Sequence, residues 1–336
     1  MMSLGPRNAI TDVPGLRVGN AEDYMVRSGV TLILPDAPTV AAVDARGGGT
    51  GTRDVELLGL DGTVEHVHAL VLSGGSAFGL DAAGGVMSWL AQRGRGFSIG
   101  AAVVPIVPQA ILFDLLNGGD KEWGPEPPYW SLGHRAVEAA GLDFKLGNAG
   151  AGLGAKAGAL KGGLGTASVF VAELEVTVGA LVAVNCVGDT LLPGTDTFFA
   201  WDMELNEEFG GRRPDTPFDP REVRVPKAAR AGENTTIAVI ACDAVLSKPQ
   251  ARRLAVMAQD GLSRAIRPAH TPLDGDTVFA LATGGQALAD PVRDLALLGG
   301  HAANCLGRAI ARGVYEAESL GEMVGYQECF PKINVE

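Results

Sequence analysis

Two adjacent threonines, Thr235 and Thr236, follow Asn234 at the point where a charged, proline-rich segment gives way to a β-branched run. Cleavage of the peptide bond before Thr235 would create a new N-terminus that carries a hydroxyl nucleophile and, within one residue, an α-amine. Because an α-amine has a pKa of about 7.7–8.0, it suits a general base at neutral pH. One residue would then supply both halves of a catalytic pair. An ordinary loop-to-strand entry has the same residue pattern and is the alternative interpretation.

The second group able to do chemistry is a pair of carboxylates, Asp274 and Asp276, at the start of a predicted strand. Side chains at positions i and i+2 of a strand point to the same face, so the two acids are expected to shift each other's pKa and to orient a hydroxyl or amine such as that of Thr235. The alternatives are an Asx turn at the strand entry and a fragment of a calcium loop, although the further oxygen ligands of such a loop do not follow in the sequence.

A carboxamide at Asn185 closes another apolar strand, where a buried amide must find hydrogen-bond partners. A donor at this place would stabilise a developing oxyanion. The alternative is an asparagine in a turn before Gly188. Of the five histidines, only His66 and His68 are close in sequence, and neither has cysteine or carboxylate neighbours at the spacing of a zinc site. We therefore expect no metal site.

The segments around these side chains predict the strands and helices that position them. Apolar periodicity predicts a hairpin in the middle of the chain and the order strand, helix, strand, helix in its last third. An earlier strand is followed by two glycines and a helix that Ser76 is expected to cap. The predicted elements are strand 67–73, helix 76–90, strand 101–106, helix 131–140, strands 167–174 and 176–185, strand 235–244, helix 248–266 with Ser247 as N-cap, strand 277–283, and one long or two shorter helices within 290–316.

Residues 206–233 differ from the rest of the chain, since they carry charged side chains and several prolines with little apolar material to bury. This composition predicts a surface linker. The linker ends at Asn234, so the bond before Thr235 would be open to whatever cuts it.

Length and charge narrow the classes of function. A chain of 336 residues can bury a substantial core. With 27 Lys and Arg against 39 Asp and Glu the net charge is −12, so the long-range field repels polyanions, and nucleic acid is not an expected partner. The four cysteines are far apart and predict reduced core residues. No secretion signal or apolar run of membrane-spanning length is evident, so the expected location is the cytoplasm, without a membrane partner.

Taken together, the segments resemble the DmpA-type family of N-terminal nucleophile hydrolases, which includes L-aminopeptidase/D-esterases, β-peptidyl aminopeptidases and nylon-oligomer endohydrolases. The resemblance covers nearly the whole chain and is specific because of the order and number of its segments. These are ITDVPGLRVG at 10–19, VDARGG at 43–48, LSGGSAFGL at 72–80, ILFDL at 111–115, GAG at 150–152, KGGLGTAS at 161–168, VN at 184–185 and NTTI at 234–237.

The resemblance implies an α+β fold, an αββα sandwich of two stacked mixed sheets flanked by helices, in a single domain, 1–336. It also implies that the precursor cuts itself. The Thr235 hydroxyl would attack the Asn234 carbonyl, an ester would form by an N-to-O acyl shift, and water would release the new terminus. The products would be an α-chain, 1–234, and a β-chain, 235–336.

Family positions transfer to four further residues of this chain. Asp274 and Asp276 match the relay carboxylates, in the Asp-Gly-Asp version of the nylon-oligomer branch, and Asn185 matches the asparagine on the oxyanion side. The active-site lysine is assigned to Lys161, with Lys156 as the alternative. A tyrosine of some members is replaced by Phe113, which removes any hydroxyl contribution from that position.

The function implied by the resemblance is an autoproteolytically activated threonine amidohydrolase or aminopeptidase. It would cleave short peptides or peptide-like amides through an acyl-enzyme on Thr235 and need no cofactor. The alternatives are an acyltransferase similar to the glutamate N-acetyltransferases, which share the fold and a threonine nucleophile, and an uncleaved, non-catalytic member. The expected partners are a small peptide or amide substrate and further copies of the chain, in a homotetramer or larger homo-oligomer. Whether the amide is an α-, β- or D-peptide or a synthetic oligomer depends on the shape of the pocket.

Overall fold

Both faces of the central strands are buried, which explains why their sequences are nearly continuous apolar runs. In the strand Ile237–Ala244, Ile237 and Val239 face one hydrophobic core, while Ala238 and Ile240 face a second core on the opposite side. Because successive side chains of a strand point to opposite faces, this strand lies between two packed layers.

The computed structural model describes residues 2–219, 221–225 and 234–331, and these form sixteen strands and five α-helices. The strands are β1 Met2–Leu4, β2 Leu16–Asp23, β3 Ser28–Pro35, β4 Thr39–Ala45, β5 Thr52–Arg53, β6 His66–Val67, β7 Leu70–Ser73, β8 Phe97–Ile99, β9 Ala102–Val104, β10 Gln109–Ile111, β11 Lys156–Ala157, β12 Leu160–Lys161, β13 Leu164–Val171, β14 Val176–Ala183, β15 Ile237–Ala244 and β16 Thr277–Gln286. The helices are α1 Ala82–Gln92, α2 Tyr129–Glu138, α3 Lys248–Ala265, α4 Pro291–Tyr315 and α5 Tyr326–Cys329. Within these described ranges, no helix is long and apolar enough to cross a membrane.

Two large mixed sheets carry the fold. The larger has seven strands in the order β1-β13-β14-β15-β16-β4-β6, antiparallel throughout except for the parallel pair β15 and β16. The smaller has five strands in the order β2-β3-β7-β10-β5, with β7 and β10 parallel. The short pairs β8-β9 and β11-β12 stand apart from them.

The two sheets stack on each other and each is covered by helices. Ile33 and Leu72 of the smaller sheet share a core with Val239 and Phe279 of the larger sheet. Helices α3 and α4 cover the outer face of the larger sheet, and α1 and α2 cover that of the smaller sheet. The expected αββα sandwich is therefore confirmed.

Most predicted elements are confirmed with shifts of a few residues at their ends. The hairpin is β13 and β14, and the last third of the chain is β15, α3, β16 and one long helix, α4. Ser247 is the N-cap residue of α3, where its N–H donates to Gln250 Oε1 at 2.8 Å.

The predicted cap at Ser76 is wrong. Gly75 holds the cap position with a φ of +86°, and Ser76 is the first residue of a 3₁₀ helix, Ser76–Asp81, without a side-chain capping bond. The α-helix begins only at Ala82. The two-glycine turn lets the chain reverse more tightly than an α-helical entry would, which is why the first turn is 3₁₀.

The predicted linker, 206–233, lies partly outside the described residues. At its beginning, Phe209 is buried in the core and Glu208 accepts hydrogen bonds from the buried side chain of Arg308. The described residues 219 and 221–225 are exposed.

Candidate active site

One backbone contact extends the pairing of β14 and β15 beyond the ends of both strands. These strands run antiparallel with Ala183 opposite Ile237, and the Thr235 N–H donates to the Asn185 carbonyl oxygen at 2.5 Å. Asn185 therefore lies opposite Thr235. Both residues are buried, and only 2% of the surface of Thr235 is exposed. Two of the residues predicted to act together are thus neighbours across the strand pair.

The Asn234 carbonyl oxygen accepts two hydrogen bonds. The Thr235 hydroxyl donates to it at 2.6 Å, and the Gly275 N–H donates to it at 2.9 Å. An attack on this carbonyl would need a nucleophile beside it and a donor for the charge that develops on its oxygen. Thr235 Oγ1 and the Gly275 N–H have the chemistry of these two groups.

The Asp274 carboxylate is held by three hydrogen bonds from the protein. Oδ2 accepts from the Thr271 hydroxyl at 2.6 Å and from the Thr271 N–H at 3.0 Å, while Oδ1 accepts from the Val187 N–H at 3.2 Å. Burial raises the pKa of Asp274 and the charge of Asp276 raises it further, whereas the bonds from Thr271 and Val187 oppose that rise. Asp274 is therefore a buried acid whose charge depends on its donors.

The Asp276 carboxylate joins the residue after the nucleophile to a histidine. Its Oδ1 accepts from the Thr236 N–H at 3.0 Å, and its Oδ2 accepts from the His270 N–H and lies 2.9 Å from His270 Nδ1. The other ring nitrogen, Nε2, is buried and has no hydrogen-bond partner among the described residues. Asp276 thus fixes the start of β15 against the loop that precedes β16.

The structure brings Asp274 and Asp276 to Thr235 through the backbone. Across the described ranges, neither carboxylate is hydrogen-bonded to the Thr235 hydroxyl, and the contact is made by Gly275 between them. Their action on Thr235 stays a prediction. No group of three or more His, Cys, Asp or Glu side chains in the described part of the chain is arranged to hold a metal ion.

Three residues of this cluster were missed by the sequence analysis, namely Gly275, Thr271 and His270. Thr271 stands three residues before Asp274, and a hydroxyl at that spacing from an acid is typical of a side-chain-bonded turn. That signal was available in the sequence. Nothing local marks His270, because its partner is defined only by the folded loop.

The two candidate lysines are in different environments. Lys161 is fully buried, and its Nζ donates to the Gly152 carbonyl at 3.0 Å and to the Gly162 carbonyl at 2.5 Å. Burial lowers the pKa of Lys161 to about 7, and the charge of Asp114 opposes that shift. Lys156 has an exposed side chain. Lys161 is therefore the lysine able to gain or lose a proton near neutral pH, and its catalytic role stays a prediction.

The Asn185 carboxamide connects two further segments. Its Oδ1 accepts from the Lys156 N–H at 2.9 Å, and its Nδ2 donates to the Phe113 carbonyl at 3.1 Å. Lys156 thus contributes to the site through its backbone. The predicted oxyanion role of the carboxamide stays a prediction.

Asp114, the residue after Phe113, is a buried acid that the sequence analysis did not single out. Its Oδ1 accepts from the Gly75 N–H at 2.8 Å, and burial raises its pKa. Its charge acts on Lys161. An acid at the end of an apolar segment gives no sign in the sequence that it will face a buried lysine.

An open cleft of about 620 Å³ lies next to this cluster. Its lining includes Leu160, Asp189, Thr190, Leu191 and Phe330. Thr235, Asp274 and Asp276 do not line it. The segment from Asn185 to Asp189 connects the two places, since one end contacts Thr235 and the other end lines the cleft.

Similar proteins are known over nearly the whole length of this chain. The model of peptidase family S58 matches residues 8–327. An uncharacterized aminopeptidase of Mycobacterium tuberculosis (strain ATCC 25618 / H37Rv) is 45% identical over 347 residues, covering 96% of this chain and 98% of that protein. A 6-aminohexanoate-oligomer endohydrolase of Agromyces sp. (strain KY5R) is 32% identical over 281 residues, covering 81% of this chain and 74% of that protein. The structure of the L-aminopeptidase D-Ala-esterase/amidase from Ochrobactrum anthropi, which is described as a variant of the Ntn hydrolase fold, is similar in fold. The two structures match with a TM-score of 0.71 at 22% sequence identity, and the match covers 96% of this chain and 92% of that one.

Proposed function

Because the chain belongs to peptidase family S58 and is a peptide-bond hydrolase, we propose that it activates itself by cleavage between Asn234 and Thr235 and then uses Thr235 as its nucleophile. The family match also confirms the resemblance to the DmpA-type hydrolases drawn from the sequence. The substrates are short peptides or peptide-like amides, and the acyl group is transferred to water.

One observation carries the proposal. The Asn234 carbonyl oxygen lies 2.6 Å from Thr235 Oγ1 and 2.9 Å from the Gly275 nitrogen. A nucleophile and an oxyanion donor therefore converge on one peptide bond, which is the arrangement that acyl transfer requires.

The self-cleavage step moves one proton and one acyl group. Thr235 Oγ1 attacks the Asn234 carbonyl carbon, the C–N bond breaks, and the hydroxyl proton passes to the Thr235 nitrogen, which becomes the α-amine. Water then hydrolyses the ester and releases the Asn234 carboxylate. In the continuous chain the Thr235 nitrogen is an amide that donates to Asn185, so it cannot take up the hydroxyl proton directly. Lys161, with its pKa lowered to about 7, is the group we assign to relay that proton.

In the processed enzyme the geometry is reused on substrates. Release of Asn234 vacates the place beside the hydroxyl, and a substrate carbonyl takes it, with the Gly275 N–H facing its oxygen. The α-amine of Thr235 serves as general base, and the Asn185 carbonyl, 2.5 Å from that nitrogen in the continuous chain, orients it. Asp274 and Asp276 fix the loop that carries Gly275 and tune the charge around the amine. An acyl-enzyme on Thr235 forms, and water resolves it.

Intact mass spectrometry of the purified protein tests the proposal. We expect two chains, 1–234 and 235–336, from the wild type and from Thr235→Ser, which keeps a hydroxyl at the same place. Thr235→Ala should give one chain and no amide hydrolysis. A wild type that remains one chain, or a Thr235→Ala variant that is cut at this bond, would overturn the mechanism.

A further inference from the structure

Asp189 is a carboxylate at the edge of the 620 Å³ cleft, four residues after Asn185. It is half-buried, and its side chain forms no hydrogen bond or ion pair with the residues that the structure describes. Gly158 packs directly against it, because a β-carbon added to Gly158 would lie 2.4 Å from Asp189 Oδ1. The carboxylate is therefore held in place on one side, and on the other side no described residue is bonded to it, although the charge of Arg224 acts on it.

The pairing of β14 and β15 gives the direction from the nucleophile to this cleft. Asn185 lies opposite Thr235 and β14 and β15 run antiparallel, so the residues that follow Asn185 continue on the side of Asn234. The acyl part of a substrate takes the place of Asn234. It must therefore extend along 185–189, and four residues span at most about 14 Å, which is within reach of a short peptide or amide.

A second group at the cleft lacks a partner. Thr190 is 2% exposed and lines the cleft, and its hydroxyl makes no hydrogen bond to any described residue. Buried hydroxyls are nearly always hydrogen-bonded, so this orphan points to a polar ligand at the site. Leu160, Leu191 and Phe330 supply an apolar wall beside it.

Three other acids near the site have partners, and the exposed Asp215 also lines the cleft. Thr271 and Val187 hold Asp274, Thr236 and His270 hold Asp276, and Arg212 forms a salt bridge with Asp196 in the cleft. Burial raises the pKa of Asp189, the charge of Arg224 at the same cleft opposes that rise, and the charge of Glu222 adds to it.

We propose that this cleft binds the acyl side of the substrate and that Asp189 binds its free ammonium group. The inference rests on the proposed function and makes it more specific, because it names amides with an unblocked primary amine as the substrate class. The Thr190 hydroxyl contributes a further hydrogen bond to the same acyl group.

The test compares Asp189→Asn, which has nearly the same shape without the charge, with wild type. The probes are p-nitroanilides of alanine, β-alanine and 6-aminohexanoic acid, each with a free and an N-acetylated amine. For the best free-amine probe we expect KM to rise about 10- to 100-fold with kcat changed less than about threefold, as for loss of a charged hydrogen bond. Hydrolysis of the acetylated probes should not change. Asp260→Asn removes an exposed charge that does not line the cleft and should leave KM within about twofold.

A binding measurement separates this inference from the proposed function. Calorimetric titration with alaninamide and 6-aminohexanamide should show binding to wild type that Asp189→Asn loses. If wild type neither cuts itself nor hydrolyses amides, the proposed function is wrong, and the titration still decides on Asp189. The role of Asp189 would be overturned by equal KM values for Asp189→Asn and wild type, or by equal effects on the free and acetylated probes. It would also be overturned if the titration showed no amine binding to wild type, or the same binding to the variant.

Discussion

The Cα atom of Gly275 lies against the hydroxyl of Thr235, since a β-carbon added to Gly275 would come within 2.6 Å of Thr235 Oγ1. It would also come within 2.6 Å of the Gly49 carbonyl oxygen, so the added atom cannot move aside without shifting backbone. We expect Gly275→Ala to displace the hydroxyl or the N–H from the Asn234 carbonyl and to slow self-cleavage about 100-fold or more. The readout is the fraction of cut chain against time by intact mass.

Gly300→Ala is the matched control for that variant. Gly300 lies in α4 and a β-carbon there meets no atom of the described residues within 4 Å, so the chain should be cut at the wild-type rate. Self-cleavage of Gly275→Ala at the same rate as this control would contradict the role of the Gly275 N–H.

The bond from Thr271 to Asp274 should set the acid side of the pH profile. Burial and Asp276 raise the pKa of Asp274, and the Thr271 bonds lower it by stabilising the charged form. Thr271→Val removes the hydroxyl bond, so the pKa rises further and the acid limb of kcat/KM against pH should move about one unit to higher pH. Thr271→Ser keeps the hydroxyl and should leave the limb in place. A limb that moves equally in both variants, or in neither, would show that Asp274 does not control it.

Lys161 should make the folded protein more stable as the pH rises above neutrality. The pKa of Lys161 falls from 10.5 to about 7 on folding. Between pH 7 and pH 10.5 this lysine is therefore protonated in the unfolded chain and neutral in the folded protein. Below pH 7 the folded protein bears the full free-energy cost of the buried ammonium charge, and this cost falls as the pH rises towards 10.5. Between pH 7 and pH 9 the free energy of unfolding of wild type should therefore increase by about 2 kcal/mol relative to Lys161→Met.

Urea unfolding at the two pH values measures this difference. Lys145→Met changes an exposed lysine and should follow wild type at both values. If Lys161→Met also follows wild type, Lys161 does not lose its proton in the folded state.

The buried pair of Arg308 and Glu208 should be a major contribution to stability. Arg308 is 1% exposed and bonds both Glu208 oxygens, at 2.5 and 2.9 Å. Glu208→Ala leaves the guanidinium buried without its counter-charge and should lower the free energy of unfolding by about 3–5 kcal/mol. The comparison is Glu173→Ala, which breaks the surface pair with Arg293 and should change the free energy of unfolding far less. Similar losses in the two variants, measured by chemical denaturation, would refute this account.

The strands and helices near the site were predictable because they are long and strongly periodic. The run at 235–244 and the helix at 248–266 need only local signals, namely a β-branched apolar stretch and a Ser247 cap before a helical pattern. The parallel pairing of β15 with β16 is not a local property, so periodicity does not predict it. The two stacked mixed sheets were expected only because the sequence resembles a known family. The cap expected at Ser76 failed because a two-glycine turn changed the first turn of the helix.

The types of the site residues could be predicted from the sequence, but their contacts could not. Thr235 and the two acids were singled out by their chemistry, yet the carboxylates bond Thr236 and Val187, which lie 40 and 87 residues from their partners. Contacts over such separations depend on the register of the sheet. Asp189 and Asp114 were not predicted to take part because only the folded chain shows what surrounds each of them.

The order of strands in the larger sheet has a consequence for a cut at Thr235. The chain after the cut contributes β15 and β16, while β14 on one side and β4 on the other belong to the chain before it. If the two pieces separated, each would expose unpaired strand edges and half of an apolar interior. The two polypeptides should therefore stay associated after the cut, because the strands of one lie between strands of the other within one sheet. We expect them to separate only when the whole molecule unfolds.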